Sequence, residues 1–279
     1  MDIRSYLSDL TDEESALVEP LLERSHPAGR EQTYSLRRII DAILYVLRTG
    51  VQWRYLPHDF PPASAVFYHF GKWRWDGTWE RINSVLRERE RIRSGRRPQP
   101  TAAIVDSQSA KTTEAGGPRG YDGGKKVLGR KRQVLVDTQG NLLKAMVHPA
   151  DIHDRRAAEP FLGAAAQAFP SIRHLWADTA YQGLKTWLLA TLGWTLTVTK
   201  HWWTGRSGFW VAPGQQPPKI PPGFHVMPRR WVVERSFAWF GRNRRLSKDY
   251  ERYQETGELW LYLAMSRVSL RRLTAKHAA

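Results

Sequence analysis

The chain has 279 residues, 41% hydrophobic and 25% charged, which is a globular composition long enough to bury a core without staples. It has no cysteine, so a disulfide framework, a thiolate nucleophile and a cysteine-based zinc finger are excluded. Lysine and arginine number 43 against 27 acidic residues, a net charge of +16. The surplus sits in residues 100–279, with 27 basic and 13 acidic side chains, against 16 and 14 in residues 1–99. Such a field gathers polyanions; a merely well-solvated basic surface is the alternative.

In chain order, residues 6–24 read as a short helix pair around Leu10, Leu17, Val18, Leu21 and Leu22, with Thr11 and Glu14 as a capping box. Residues 35–49 carry Leu36, Ile39, Ile40, Ile43, Leu44 and Leu47 at helical spacing, with Ser35 to start the helix and Gly50 to end it. A Pro-rich turn leads to a helix at 65–73, capped by Ser64, and a third helix follows at 79–92. A tight turn before an aromatic, basic helix suits a helix-turn-helix-like module. The helix 65–73, with Lys72 and Arg74 at its end, is then the groove-facing element; a plain helical bundle is the other reading. SGRRPQP at 94–100 reads as a linker.

Beyond it the pattern changes. TAAIVD is a short apolar run suited to a buried strand. Residues 131–137 and 142–148 read as a hairpin about the turn at 138–141. A helix is expected at 155–168, then the strand HLWAD, the helix LKTWLLATLG, the strand TLTVTKH, the helix WVVERSFAWFGRNRRL and a last helix at 258–274. This is an α/β domain with a mixed sheet. The expected organisation is a helical DNA-binding domain at 1–95 and a catalytic domain at 96–279, with a Pro/Gly-rich insertion at 204–228. No apolar run is long enough for a membrane span, and the opening MDIRSYLSDLTDEE has no apolar leader, so a soluble, cytoplasmic protein is expected, nucleoid-associated where its polyanion is DNA.

Three acids stand out by position. Asp106 ends the run AAIV, Asp178 ends HLWA, and Glu234 sits among apolar and basic neighbours in WVVERSF. Acids at strand C-termini lie where α/β sites are built. A buried carboxylate must be paired or hold a metal. Three together repel one another unless a hard divalent cation joins them. Two such ions would clamp the oxygens of a phosphoryl displacement. Each acid alone has a plainer reading as a cap or an ion-pair partner.

GPRGYDGGKK lacks the lysine and hydroxyl spacing of an ATP loop. It reads as a mobile loop offering Lys125, Lys126, Arg130, Lys131 and Arg132 to phosphates. Arg242, Arg244, Arg245 and Lys248 follow Glu234 on the same expected helix and continue that track. His153 and Asp154 are either a pair near the acids or a helix cap. No HExxH zinc motif is present. The thirteen tryptophans either stack on bases or fill cores.

The blocks IVDSQSAK, GYDGGKKVLGRKRQVLVDTQG, WADTAYQG and RWVVERSFAWFGRNRRLSKDYE, in that order, resemble bacterial insertion-sequence DDE transposases of the insertion sequence five family. The block YSLRRIIDAILYVLRTGVQWRYLPHDFPP resembles that family's N-terminal region. The resemblance implies an RNase H-like catalytic fold in which Asp106, Asp178 and Glu234 hold Mg²⁺ or Mn²⁺, two ions, the first Asp bridging both. It implies cutting at the element ends and joining to target DNA, with terminal inverted repeats and target DNA as partners in a homodimer or larger synaptic complex. Arg230 matches the arginine that the family's signature has four residues before the Glu. Met227 stands where the signature has Tyr, and Gly241, beside Arg242, where it has Lys. An RNase H-like nuclease without strand transfer and a non-catalytic DNA-binding derivative are the rival readings.

Overall fold

The computed structural model describes residues 5–22, 33–199, 211, 214, 216 and 229–275. The expected insertion at 204–228 and Met227 lie almost wholly outside the described residues.

Helices open the chain: α1 (Asp12–Val18), α2 (Leu36–Thr49), α3 (Ala63–Trp75) and α4 (Thr78–Arg93). Thr11 and Glu14 form both halves of the expected capping box. Ser35 accepts from the Arg38 amide, and Gly50, at φ 73°, ends α2 in the left-handed region. The expected cap Ser64 lies inside α3, which starts one residue after Pro62. Proline already holds the φ that the turn before a helix needs.

The sheet follows: β1 (Ala102–Lys111), β2 (Gly120–Asp122), β3 (Val127–Asp137) and β4 (Leu142–Pro149). Then come α5 (Asp154–Ala168), β5 (His174–Ala177), the short helix α6 (Lys185–Trp187) and β6 (Thr195–Val198). Helices α7 (Arg230–Gly241) and α8 (Gln254–Thr274) close the chain. β3 pairs antiparallel with β1 and with β4, while β5 runs parallel to both β1 and β6. The main sheet order is therefore β4-β3-β1-β5-β6, with β2 extending the edge of β3 at Gly120–Asp122. The β3–β4 turn is locked by Asp137, whose Oδ1 accepts the amides of Gln139 and Asn141 while Gly140 takes φ 84°.

Three expectations change. LKTWLLATLG is a single turn, α6, between a 3₁₀ segment at Thr179–Leu184 and a π segment at Leu188–Leu192. The helix expected across 231–246 stops at Gly241, and a 3₁₀ turn follows at Arg244–Leu246. The strand expected at 195–201 is described only as far as Val198.

One hydrophobic core joins α1–α4 to α7, α8 and one face of the sheet, from Leu10 and Ile39 through Trp79 and Val134 to Trp260 and Leu270. A second, smaller core lies on the other face under α5, around Phe161, Leu175 and Trp194. The sequence boundary at 95/96 is thus not a boundary in packing. Across it, Arg91 Nη1 meets Asp137 Oδ2 at 2.6 Å, with both side chains buried. The helix α3 turns Phe70 and Trp73 inward and leaves Phe67, Tyr68 and Trp75 exposed; the Phe70 and Trp260 rings are 4.6 Å apart, and Arg74 donates to Thr256 on α8. That arginine, expected at the end of a groove-facing helix, is committed to α8.

Candidate functional site

The parallel pairing of β1 and β5 runs through Ala102↔His174 and Ile104↔Trp176. Two residues further along come Asp106, still in β1, and Asp178, in extended conformation just past the end of β5. The two-residue repeat of a strand puts both on the same face as Ile104 and Trp176, where the strands part. Ile104 and Trp176 belong to the core that contains α7, so both carboxylates point to that helix's side of the sheet. Asp106 does not end its strand, since β1 runs on to Lys111.

Asp106 is largely buried, and Oδ1 accepts the amide of Ser107 at 2.7 Å. Burial pushes its carboxyl up to about 6, and the neighbouring charge of Asp178 adds to the rise, while Arg230 and Lys125 oppose it. Asp178 begins the 3₁₀ segment, with Oδ1 accepting the Ala180 amide at 2.9 Å. Beneath both lies Tyr181, fully buried, its hydroxyl accepting from Gln133 Nε2 at 3.2 Å. Burial first, and then the charges of Asp154, Asp106 and Asp178, hold that phenol well above its usual range.

Helix α7 supplies the third acid. Arg229, its N-cap, sits at φ 67°, a region an ordinary side chain enters at a cost of about 1–3 kcal/mol. Its guanidinium lies 5.4 Å from the centre of the Trp176 ring. That contact fixes the start of α7 over β5. One residue on, Arg230 Nη2 lies 4.0 Å from Asp106 Oδ2 and 3.5 Å from Glu234 Oε1. A single guanidinium therefore stands between the strand carboxylate and the helix carboxylate. Glu234 is 48% exposed and lies off the buried stripe of Val232, Val233, Ser236 and Phe240, contrary to the expected buried setting.

Of the expected basic track, Lys125 and Lys126 are exposed in the β2–β3 turn, and Lys125 Nζ reaches the Ser107 carbonyl at 3.2 Å, beside Asp106. The next three point inward, which corrects the expectation that they serve phosphates. Arg130 is wholly buried; it pairs with Asp249 and donates to the carbonyls of Pro118, Glu251 and Arg252. Arg132 donates to the carbonyls of Leu246 and Lys248. Lys131 pairs with Asp154 at 3.1 Å and donates to the Ile152 carbonyl. The loop 244–252 covers the face of β3 that carries Arg130 and Arg132, and the start of α5 covers the face that carries Lys131, so these cations fasten both to the sheet.

Because α7 ends at Gly241, the cations after it leave the helix of Glu234. Arg242, Arg244 and Lys248 are exposed, whereas Arg245 is held by Glu251 at 2.6 Å. His153 caps α5, its Nδ1 accepting the Arg155 amide. Asp154 accepts from Ser107 Oγ at 2.9 Å, one residue from Asp106. The two readings of His153 and Asp154 divide between them, His153 as the helix cap and Asp154 near Asp106, whereas sequence spacing did not single out Ser107, whose contact depends on how β1 and α5 pack.

Hard carboxylate oxygens suit a small divalent cation. The Asp106–Asp178 pair fits one: Asp106 is buried beside a like charge, and a cation there would relieve that repulsion. Glu234 stands one guanidinium away, and among the described residues no three acidic or histidine side chains form a group close enough to hold a metal ion.

Comparison with known proteins gives concordant matches. Residues 10–83 match a model of the IS4/5 transposase family, and residues 97–198 and 211–271 match two models of the transposase DDE domain. The insertion element IS402 16.2 kDa protein of Burkholderia cepacia is 31% identical over 113 residues, 38% of this chain and 76% of that relative. No solved structure matches.

Proposed function

Since this chain belongs to the insertion-sequence DDE transposases of the IS4/5 family, we propose that it cuts DNA at the ends of its element and joins them to target DNA, using Asp106, Asp178 and Glu234. Its sheet, three antiparallel strands continued by two parallel ones, is RNase H-like. The observation that carries the proposal is the position of Asp106 and Asp178, each two residues beyond the last pair of the parallel strands β1 and β5, with Arg230 reaching from Asp106 to Glu234.

When bound, Mg²⁺ or Mn²⁺ would neutralise charge on the scissile phosphate and lower the pKa of water. Asp106 and Asp178 would hold it from the sheet, and Glu234 would close on it from α7. Arg230 keeps Glu234 within reach of Asp106 while their negative charges are uncompensated. Lys125, beside Asp106, and Lys126 would draw the phosphate backbone toward the carboxylates. The basic surplus supports DNA as the substrate.

The test is strand transfer of a pre-cut element end into plasmid DNA by the purified chain. Joined product that requires divalent cation and a 3′-hydroxyl supports the proposal. Cleavage without joining would assign the chain to the hydrolytic nucleases, and neither activity would remove catalysis from the reading.

A further inference from the structure

Away from the carboxylates, five arginines from three parts of the chain converge on one cavity of about 230 Å³. Arg48 comes from the end of α2, Arg242 from just beyond α7, and Arg267, Arg271 and Arg272 from α8, with the Trp239 ring as a wall. A smaller adjoining cavity shares Arg48, Arg267 and Arg271. The compensation for this charge is incomplete. Arg267 pairs with Glu14, Arg272 with Glu90, and Arg48 donates to the carbonyl of Arg242. Arg242 and Arg271 have no hydrogen-bond or ion-pair partner for their guanidinium groups among the described residues. Burial, followed by the charge of Arg267 and then those of Arg48 and Arg242, pushes the Arg271 guanidinium below its ordinary range, against the opposing charge of Glu14.

Like charges gathered around a hollow repel one another, and the ion pairs that fasten α8 to α1 and α4 use Arg267 and Arg272, leaving Arg242 and Arg271 without a counter-ion among the described residues. An anion seated among them removes the repulsion and supplies acceptors to the two unpartnered forks. Guanidinium groups match phosphate oxygens in pairs. The Trp239 ring lies 4.3 Å from the Arg272 guanidinium and 4.9 Å from that of Arg235, and holds the former at the cavity wall. Trp239 follows Glu234 by five residues within α7, and Arg242, the C-cap of that helix, by eight, about 8 and 12 Å along its axis at a rise of about 1.5 Å per residue. That is a span of about two to four nucleotides at about 3.4 Å per step of one strand.

We propose that this arginine cavity seats a phosphodiester of the DNA strand bound at the carboxylates, a few nucleotides from the scissile bond. The proposal rests on the transposase reading above and adds a substrate contact outside the acidic site.

The experiment measures binding of the full chain to an element-end duplex across a salt series, with R242Q/R271Q, R242Q alone and R242K/R271K beside the parent. Loss of one phosphate contact lowers the slope of log K against log salt by about 1. R242Q/R271Q should show that loss, and the lysine pair should restore the slope. Thermal melting of each variant checks folding, and R242Q, altered only at an exposed position, should show part of the same loss if the double variant fails to fold. The parental slope in a folded R242Q/R271Q overturns the proposal. So does a parental DNA slope combined with lost stabilisation by inorganic phosphate, which would assign the cavity to free anions. A parent that binds DNA without salt dependence would instead bring down the transposase reading itself, a distinct result.

Discussion

Replacing Asp106 by Asn removes a charge from the most constrained carboxylate of the site while keeping its shape and the acceptor for the Ser107 amide. The folded protein holds the Asp106 carboxyl at about 6, against an ordinary 3.8, chiefly by burial. The raised value means that folding favours the protonated form. Stability is therefore greatest below about pH 4 as far as this group is concerned, and it falls as pH rises through 4 to 6. Each pH unit of that rise corresponds to about 1.4 kcal/mol, so the charge costs the cation-free protein about 3 kcal/mol at pH 7, an upper bound because the side chain keeps some contact with water. D106N should thus be more stable than the parent at pH 7, by several degrees in melting temperature at about 2–4 °C per kcal/mol for a large domain. The gain should vanish near pH 4, where the parent's Asp106 is protonated. Taking the difference between variant and parent cancels other titrating groups, such as Glu258, which burial raises to about 7. Adding Mg²⁺ should stabilise the parent and leave D106N unmoved. Scanning calorimetry from pH 4 to 8 in chelator, repeated with Mg²⁺, checks both parts. A D106N that melts below the parent at pH 7, or a difference that does not vary with pH, refutes the reasoning.

Other outcomes follow from the packing. Arg91→Ala leaves Asp137 buried without its partner and should cost about 3–5 kcal/mol in a urea titration, since a lone buried charge is far worse than a missing pair. Arg130→Met leaves Asp249 similarly orphaned, so it should lower stability by a comparable amount while leaving the salt slope of DNA binding unchanged in whatever fraction folds. The fragment 96–279 should show no cooperative thermal transition and should bind a hydrophobic dye, because removing α1–α4 uncovers Trp260, Leu263 and the face of the sheet. A sharp melt for that fragment would show that the two regions fold separately.

The sequence carried the strongly periodic elements well. The apolar stripe of α2 and its Ser35 and Gly50 ends are local signals, and so are the Thr11–Glu14 box and the β3–β4 hairpin. The acids were legible because each closes or interrupts an apolar run. What escaped was whatever depends on two segments meeting. Arg130 and Arg132 look like a basic loop in one dimension. Only the passage of 244–252 across that face of β3 turns them inward. The row of Phe70, Trp73 and Arg74 likewise carries no mark to show whether it meets DNA or α8. The arginine cavity was invisible for the same reason, since its residues lie as much as 224 positions apart in the chain. The early end of α7 is a smaller case: Gly241 and Asn243 favour termination, but the charged run beyond them resembles a continuing helix.

The most direct measurement of the central claim is the rate of divalent-cation-dependent cleavage of an element-end duplex by D106N, D178N and E234Q, with DNA affinity measured on the same preparations. Each variant should bind DNA within about twofold of the parent and cleave at least about a hundredfold more slowly, a loss of about 3 kcal/mol in transition-state stabilisation. Near-parental cleavage by any one of the three would contradict the assignment of that carboxylate to the reacting site.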